Sequence, residues 1–215
     1  MSNSQVLGEP RVTVNTTRHE WTDFLDYEKR RLYLYGSVND FDDEDYSKDE
    51  KLSVSDIVRW ILRYNTEDKG KPVSEREPIY LYIDSPGGDI YEGWPLISTI
   101  ELSKTPVYTV NIGMWASMAF HIGITGHKRF SLPNMTFLMH DGRSGMINST
   151  SKMLDEAEFL RLYESEVIKE HVLIHSNVTG AEYEKLKTKE YYFLPDVAIC
   201  HGFIDEIVTD IDTIL

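Results

Sequence analysis

Cysteine is almost missing from this 215-residue chain: Cys200 stands alone. That excludes an internal disulfide and any zinc site built from clustered cysteines. Positive charge is also scarce, with 22 Lys and Arg against 36 Asp and Glu, a net charge of −14 and a pI near 4.9. Phosphate recognition needs a positive field, so a nucleic-acid partner is not expected. No basic segment leading into an apolar core opens the sequence, so no secretory signal is expected. Residues 105–127 contain no Asp, Glu, Lys or Arg. The run is long enough to span a bilayer, but Pro106, Asn111, Gly113, Ser117, His121, Gly123 and Gly126 interrupt it. It reads better as a buried strand, a turn and a buried helix. No membrane association is expected, and a reduced lone cysteine is compatible with a cytoplasmic location. An apolar content of 41% and a charged content of 27% describe a soluble globular chain, and its length suits one domain.

Residues 1–28 lack periodicity and read as an N-terminal arm, leaving 29–215 as a single domain. Arg31–Val38 alternates and is rich in β-formers, so it reads as a strand. Asp40–Glu50 holds seven carboxylates in eleven residues. A calcium loop starting at Asp40 would need Gly at its sixth position and Glu at its twelfth. Those places hold Asp45 and Lys51, so the segment reads as a solvated acidic loop. After Ser53, the spacing of Val54, Ile57, Val58, Ile61 and Leu62 predicts an amphipathic helix. Strands are predicted at Pro78–Asp84, Pro106–Ile112, Arg129–Leu132, Thr136–His140 and Phe203–Val208. Asp89 is placed to cap a helix that Pro95 should bend or break. A short apolar helix starts near Ala116 or Ser117, and residues 141–150 read as a loop or hairpin. Ser151 to about His175 reads as one long helix with apolar residues on more than one face, which implies contact with more than one surface. Thr179 to Glu182 matches a capping box, and Asp196–His201 is a short helix stopped by Gly202. Alternating strands and helices imply an α/β fold.

Two glycine-containing turns follow predicted strands. Asp84-Ser-Pro-Gly-Gly-Asp89 lets backbone N–H groups approach a ligand closely. Gly113-Met-Trp-Ala-Ser-Met-Ala119 sets Ser117 at a helix start, where free N–H donors and partial positive charge favour a developing oxyanion. Taken singly, each is unspecific: Pro-Gly-Gly is an ordinary turn and serine an ordinary cap. A serine nucleophile needs a base within hydrogen-bond reach. His140 ends a strand and can face the same edge as Ser117. His121 lies one turn after Ser117 but reads as a core residue. His19, His127, His171 and His175 read as surface or loop residues, and Cys200 beside His201 as a small buried filler.

Assembled in order, YIDSPGGDI (82–90), WASMAF (115–120), KRFSLPNMTFLMHD (128–141) and GFIDEIV (202–208) resemble the ClpP family, the self-compartmentalising serine peptidase subunits of the Clp system. The similarity runs from about Arg31 to Val208. The resemblance implies a ClpP/crotonase-like fold of repeated β-β-α units with a protruding handle helix, the handle region falling at 141–177. It implies Ser117 as nucleophile, His140 as general base, and the amides of Gly88 and Met118 as the oxyanion hole. The third triad position falls on Glu190 where the family has aspartate; Asp196 is the fallback, and Asp205 resembles a structural position. Serine–histidine–glutamate arrangements serve other hydrolases.

The resemblance implies no metal and no organic cofactor. It also implies peptide or unfolded-protein substrates, homo-oligomeric heptameric rings stacked into a barrel, and a Clp ATPase unfoldase partner. Asp141-Gly142 replaces the Gln-Pro usual after the histidine, the Ser117–His140 spacing is shorter than usual, and the N-terminal arm does not match the family's axial loop. Three other readings remain open: a non-catalytic ClpP-like ring subunit, a crotonase-like acyl-CoA enzyme, and a Ser-Lys signal-peptide peptidase.

Overall fold

The computed structural model describes residues 25–39, 52–142, 145 and 147–215. Residues 1–24, most of the span read as an arm, and all of the Asp40–Glu50 acidic segment lie outside them. Among the described residues, eight strands form a mixed sheet: β1 (Leu25–Asp26), β2 (Arg31–Tyr35), β3 (Ile79–Ser85), β4 (Val107–Ala116), β5 (Lys128–Ser131), β6 (Thr136–Met139), β7 (Tyr191–Phe193) and β8 (Glu206–Ile207). Strands β2, β3, β4, β5 and β8 run parallel in that order, and β1 closes the first edge antiparallel to β2. β1 falls within the span read as an arm. The helices are α1 (Val54–Glu67), α2 (Ile90–Leu102), α3 (Met118–Ile124), α4 (Thr150–Tyr163), α5 (Lys169–Ile174), α6 (Gly180–Leu186) and α7 (Pro195–Cys200). Among the described residues, no helix is long and apolar enough to cross a membrane.

Helix starts follow local chemistry. Ser53 with Asp56, and Thr179 with Glu182, form reciprocal capping boxes, and Asp89 accepts from the N–H groups of Tyr91 and Glu92. α2 runs through Pro95 without a break in its assignment. The long helix predicted after Ser151 runs as α4, a π-helical stretch over Glu164–Ile168, and α5. Glu164, at the π stretch, accepts from Tyr183 (3.1 Å) and Lys187 (2.9 Å) of α6 and the residues after it. No α4 residue is buried, and Leu154, Phe159 and Leu162 are exposed. The last strand is shorter than its sequence pattern implies: Phe203–Asp205 are not part of β8.

One face of the sheet is buried beneath helices, and the other is covered in part, with Tyr33, Tyr80 and Tyr108 half-buried. Ile79, Leu81 and Ile83 join Ile57, Ile61, Leu96, Ile97 and Ile100 of the helices in the larger core. Tyr82, Val110 and Phe130 lie in a second cluster with Val208 and Ile214. There the Tyr82 hydroxyl donates to the Ile214 carbonyl. Arg30 and Asp68 tie the β1–β2 turn to the end of α1 through a bidentate pair at 2.6 and 2.9 Å. Asp68 also accepts from Thr105 and Lys71. These bonds, the Arg30 guanidinium first, hold its carboxyl well below the usual carboxylate range.

β4 decides where the chemistry-bearing residues sit. Its first half, Tyr108–Asn111, pairs with β5, and its second half, Met114–Ala116, pairs with β6. Between them, a Cβ on Gly113 would lie 2.2 Å from an Asp84 carboxylate oxygen, closer than real Cβ atoms come. The same carboxylate accepts from Met114 N–H at 3.0 Å. The close Asp84 approach at Gly113 accompanies the switch from β5 to β6.

Candidate active site

Ser117 occupies the junction between β4 and α3 and caps the helix at φ 53° and ψ −122°. A non-glycine residue with positive φ is costly and clusters at functional sites. The sharp strand-to-helix turn that exposes the nucleophilic serine of α/β-hydrolases is strained in a similar way. Surrounding backbone holds it: Ser117 N–H donates to the Leu138 carbonyl of β6 (3.0 Å), and its own carbonyl accepts from Phe120 and His121. Sequence reasoning located the serine at the helix start. Its strained backbone is a tertiary finding.

The Ser85–Gly88 turn lies directly against this junction. A Cβ on Gly87, whose φ is +89°, would fall 2.5 Å from Ala116 O and 2.7 Å from Ser117 Cβ. A Cβ on Gly88 would fall 2.4 Å from Val38 O. Val38 forms a lone parallel bridge with Gly88: its N–H donates to Gly87 O, and its carbonyl accepts from Asp89 N–H. In that pattern Gly88's own N–H and C=O turn away from Val38. Met118 is the first residue of α3, and the opening amides of a helix have no intrahelical acceptor. The sequence reading included the glycine pair and Val38, but not the approach of Gly87 to Ser117 or the bridge from Val38 to Gly88. The paired glycines carried a signal for the first; nothing local marked the second.

Strand pairing also determines where His140 and Glu190 sit. In β6–β7, Phe137, Leu138 and Met139 face Phe193, Tyr192 and Tyr191. Continuing that antiparallel register by one residue sets 140 opposite 190. The Asp141 N–H, bonded to Lys187 O at 2.7 Å, ties the two ends together. The Glu190 carboxylate stands 3.4 Å from His140 Nδ1, and 45% of the Glu190 side chain is exposed. His140 Nε2 is buried and takes no hydrogen-bond partner among the described residues. A buried ring nitrogen left in that state calls for an explanation, and a catalytic role is one.

The other candidates separate. Asp196 lies exposed in the first turn of α7. Asp205 is taken up by Arg129, accepting from its main-chain N–H, Nε and Nη2 at 2.8, 3.0 and 2.6 Å. His121 is buried, and burial, with the nearby His171 and His140 charges, pushes its pKa down to about 3. It is held neutral in the core. Two readings are corrected: Cys200 is exposed, not a buried filler, and His171 is buried, not a surface residue. A polar depression of about 580 Å³, lined by residues including His127, Arg129, His175 and Asn177, includes neither Ser117 nor His140.

Comparison with known proteins fits this arrangement. The family model described as Clp protease matches residues 54–210. The chain is 30% identical over 155 residues to ATP-dependent Clp protease proteolytic subunit 1 of Frankia casuarinae, covering 71% of this chain and 69% of that protein. It is 32% identical over 141 residues to proteolytic subunit 2 of Treponema pallidum, covering 63% and 69%. With proteolytic subunit 3 of a Synechococcus species the identity is 29% over 190 residues, covering 84% and 83%. A mixed α/β sheet with these motifs in this order, matched over most of its length, makes the chain a member of the Clp protease family.

Proposed function

We propose that this chain is a serine endopeptidase that cleaves unfolded polypeptides inside an oligomeric chamber in the cytoplasm. Ser117 Oγ attacks the scissile carbonyl while His140 Nε2 takes its proton. Glu190 holds the Nδ1–H tautomer and offsets the charge of the imidazolium. The Gly88 and Met118 amides receive the developing oxyanion. Collapse of the tetrahedral intermediate breaks the C–N bond as His140 returns the proton to the leaving amine. Water then repeats the sequence on the acyl-enzyme. Loss of one oxyanion donor in such a site typically costs about 10²–10³ in rate.

The observation that carries the reading is that the strained Ser117 junction is bonded to Leu138 of β6, two residues before His140, whose Nδ1 faces a carboxylate and whose Nε2 has no partner among the described residues. The free side of Gly88 suits β-pairing with an extended substrate. The exposed Leu154, Phe159 and Leu162 of α4 support a handle that builds contacts between heptameric rings. The family's repeated β-β-α units and a Clp ATPase unfoldase partner belong to the same reading, the latter supported by the relatives' names.

A fluorophosphonate probe should label Ser117 in the assembled protein, and Ser117→Ala should abolish both labelling and peptide cleavage. Absence of labelling in correctly assembled wild type would identify a non-catalytic ring subunit. Acyl-CoA turnover surviving Ser117→Ala would identify a crotonase-like enzyme.

A further inference from the structure

Away from Ser117, two helix ends bring together three side chains that the peptidase reading leaves unused. Glu101 lies in the last turn of α2. His171 lies in α5, and His175 caps its C-terminus, one turn further on. Their ligand atoms all lie within 4.8 Å of one another. Glu101 Oε1 is 3.6 Å from His171 Nδ1 and 3.6 Å from His175 Nε2. At that length neither contact is a sound hydrogen bond.

Backbone carbonyls determine the tautomers. His171 Nε2 is 3.1 Å from the His121 carbonyl, and His175 Nδ1 is 2.9 Å from the His171 carbonyl. A carbonyl only accepts, so both of those nitrogens carry their hydrogens. In the neutral rings, His171 Nδ1 and His175 Nε2 are then bare lone pairs, and both face a carboxylate oxygen. Three acceptors converge with no donor between them, an arrangement that repels unless a cation sits inside. A proton on one ring is the competing occupant.

We propose that Glu101, His171 and His175 bind a borderline divalent transition-metal ion of the Zn²⁺ class, tying the C-terminal ends of α2 and α5 together behind the Ser117 helix. Two imidazoles and one carboxylate suit zinc better than calcium or magnesium, which prefer all-oxygen shells. Bonds of about 2.0–2.1 Å put tetrahedral ligand atoms about 3.3 Å apart; the two Glu101–histidine separations are 3.6 Å, and the two histidine nitrogens, within 4.8 Å of each other, close by a side-chain adjustment on binding. Orientation of each metal-binding histidine by a carbonyl on its other nitrogen is the usual outer-shell arrangement. The converging helix C-termini add partial negative charge. The opposing charge is Arg129, which donates to the His175 carbonyl and is itself paired with Asp205.

The test uses untagged full-length protein, titrated with Zn²⁺ by calorimetry and with Co²⁺ by visible absorption. Quenching of Trp94, whose ring centroid lies 5.2 Å from that of His171, gives a third signal. One ion per chain is expected, with a saturable rise in thermal midpoint. Glu101→Gln and His175→Gln should each weaken binding by at least the ~10–100-fold that loss of an outer-shell partner costs. Glu101 is partly exposed, so its variant should fold even where a histidine variant does not. Cys200→Ser should leave the isotherm unchanged. Absence of one-to-one binding, or binding untouched by Glu101→Gln, would overturn the site. In that case a proton, not a metal, occupies it.

Discussion

Removing the Glu190 carboxylate tests the third catalytic position. At the observed 3.4 Å from His140 Nδ1, attraction to an imidazolium amounts to about 1 kcal/mol in water-like surroundings and about 5 kcal/mol at an effective dielectric of 20. With each 1.4 kcal/mol worth about tenfold, the range runs from roughly tenfold to a few thousandfold in rate. The 45% exposure of Glu190 brings solvent screening and moves the expectation to the lower part of that range. We therefore expect Glu190→Ala and Glu190→Gln each to lower kcat for a short fluorogenic peptide by about 10–100-fold. KM should change little, because the carboxylate supports the imidazolium that forms during reaction. The rate of fluorophosphonate labelling at Ser117 should fall in parallel. Glu190→Ala with wild-type turnover, alongside an inactive Asp196→Ala, would refute the assignment and move the acid to α7.

Three further outcomes are expected. Gly87→Ala forces a Cβ to 2.5 Å from Ala116 O at a φ of +89°; a displaced Ser117 junction should reduce peptide turnover by about 10²-fold, the cost of an ångström-scale misplacement, measured alongside circular dichroism to show retained fold. Asp68→Asn leaves Arg30 buried without its counter-charge, and chemical denaturation should show a loss of about 3–5 kcal/mol. Because the folded Asp68 carboxyl titrates below its unfolded value of 3.8, its contribution is complete above that pH and fades as pH falls below it; wild type should lose stability on that acid limb more steeply than Asp68→Asn. Finally, Phe159→Asp with Leu162→Asp places charge on exposed α4 side chains, and sedimentation velocity should show smaller particles with unchanged secondary structure.

Much of the fold was legible because short-range rules govern it. Alternating β-formers marked β2 and β3, the Ser53 and Thr179 caps marked helix starts, and Gly202, at φ +70°, marked a helix end. Long-range geometry was less legible. The last strand reads as six residues, yet only Glu206–Ile207 pair, because strand length depends on where a neighbour stops. The Asp40–Glu50 segment lies outside the described residues. His171 looked like a surface residue because its burial comes from α2 and α3, which are distant in sequence.

At the candidate site the division is the same. Sequence alone determined the residue types: a serine at a helix start, a histidine ending a strand, two glycines in a turn, and a glutamate at the position where the family resemblance implies the third triad member. Tertiary structure decided how they meet. The split pairing of β4 turns Ser117 beside β6, the β6–β7 register sets Glu190 opposite His140, and Val38 orients the Gly88 peptide. Likewise, nothing in the local sequence joins Glu101 to His171 and His175. A side chain's chemistry is local, but its partners are set by strand register and helix packing, which the chain establishes only when it closes its core.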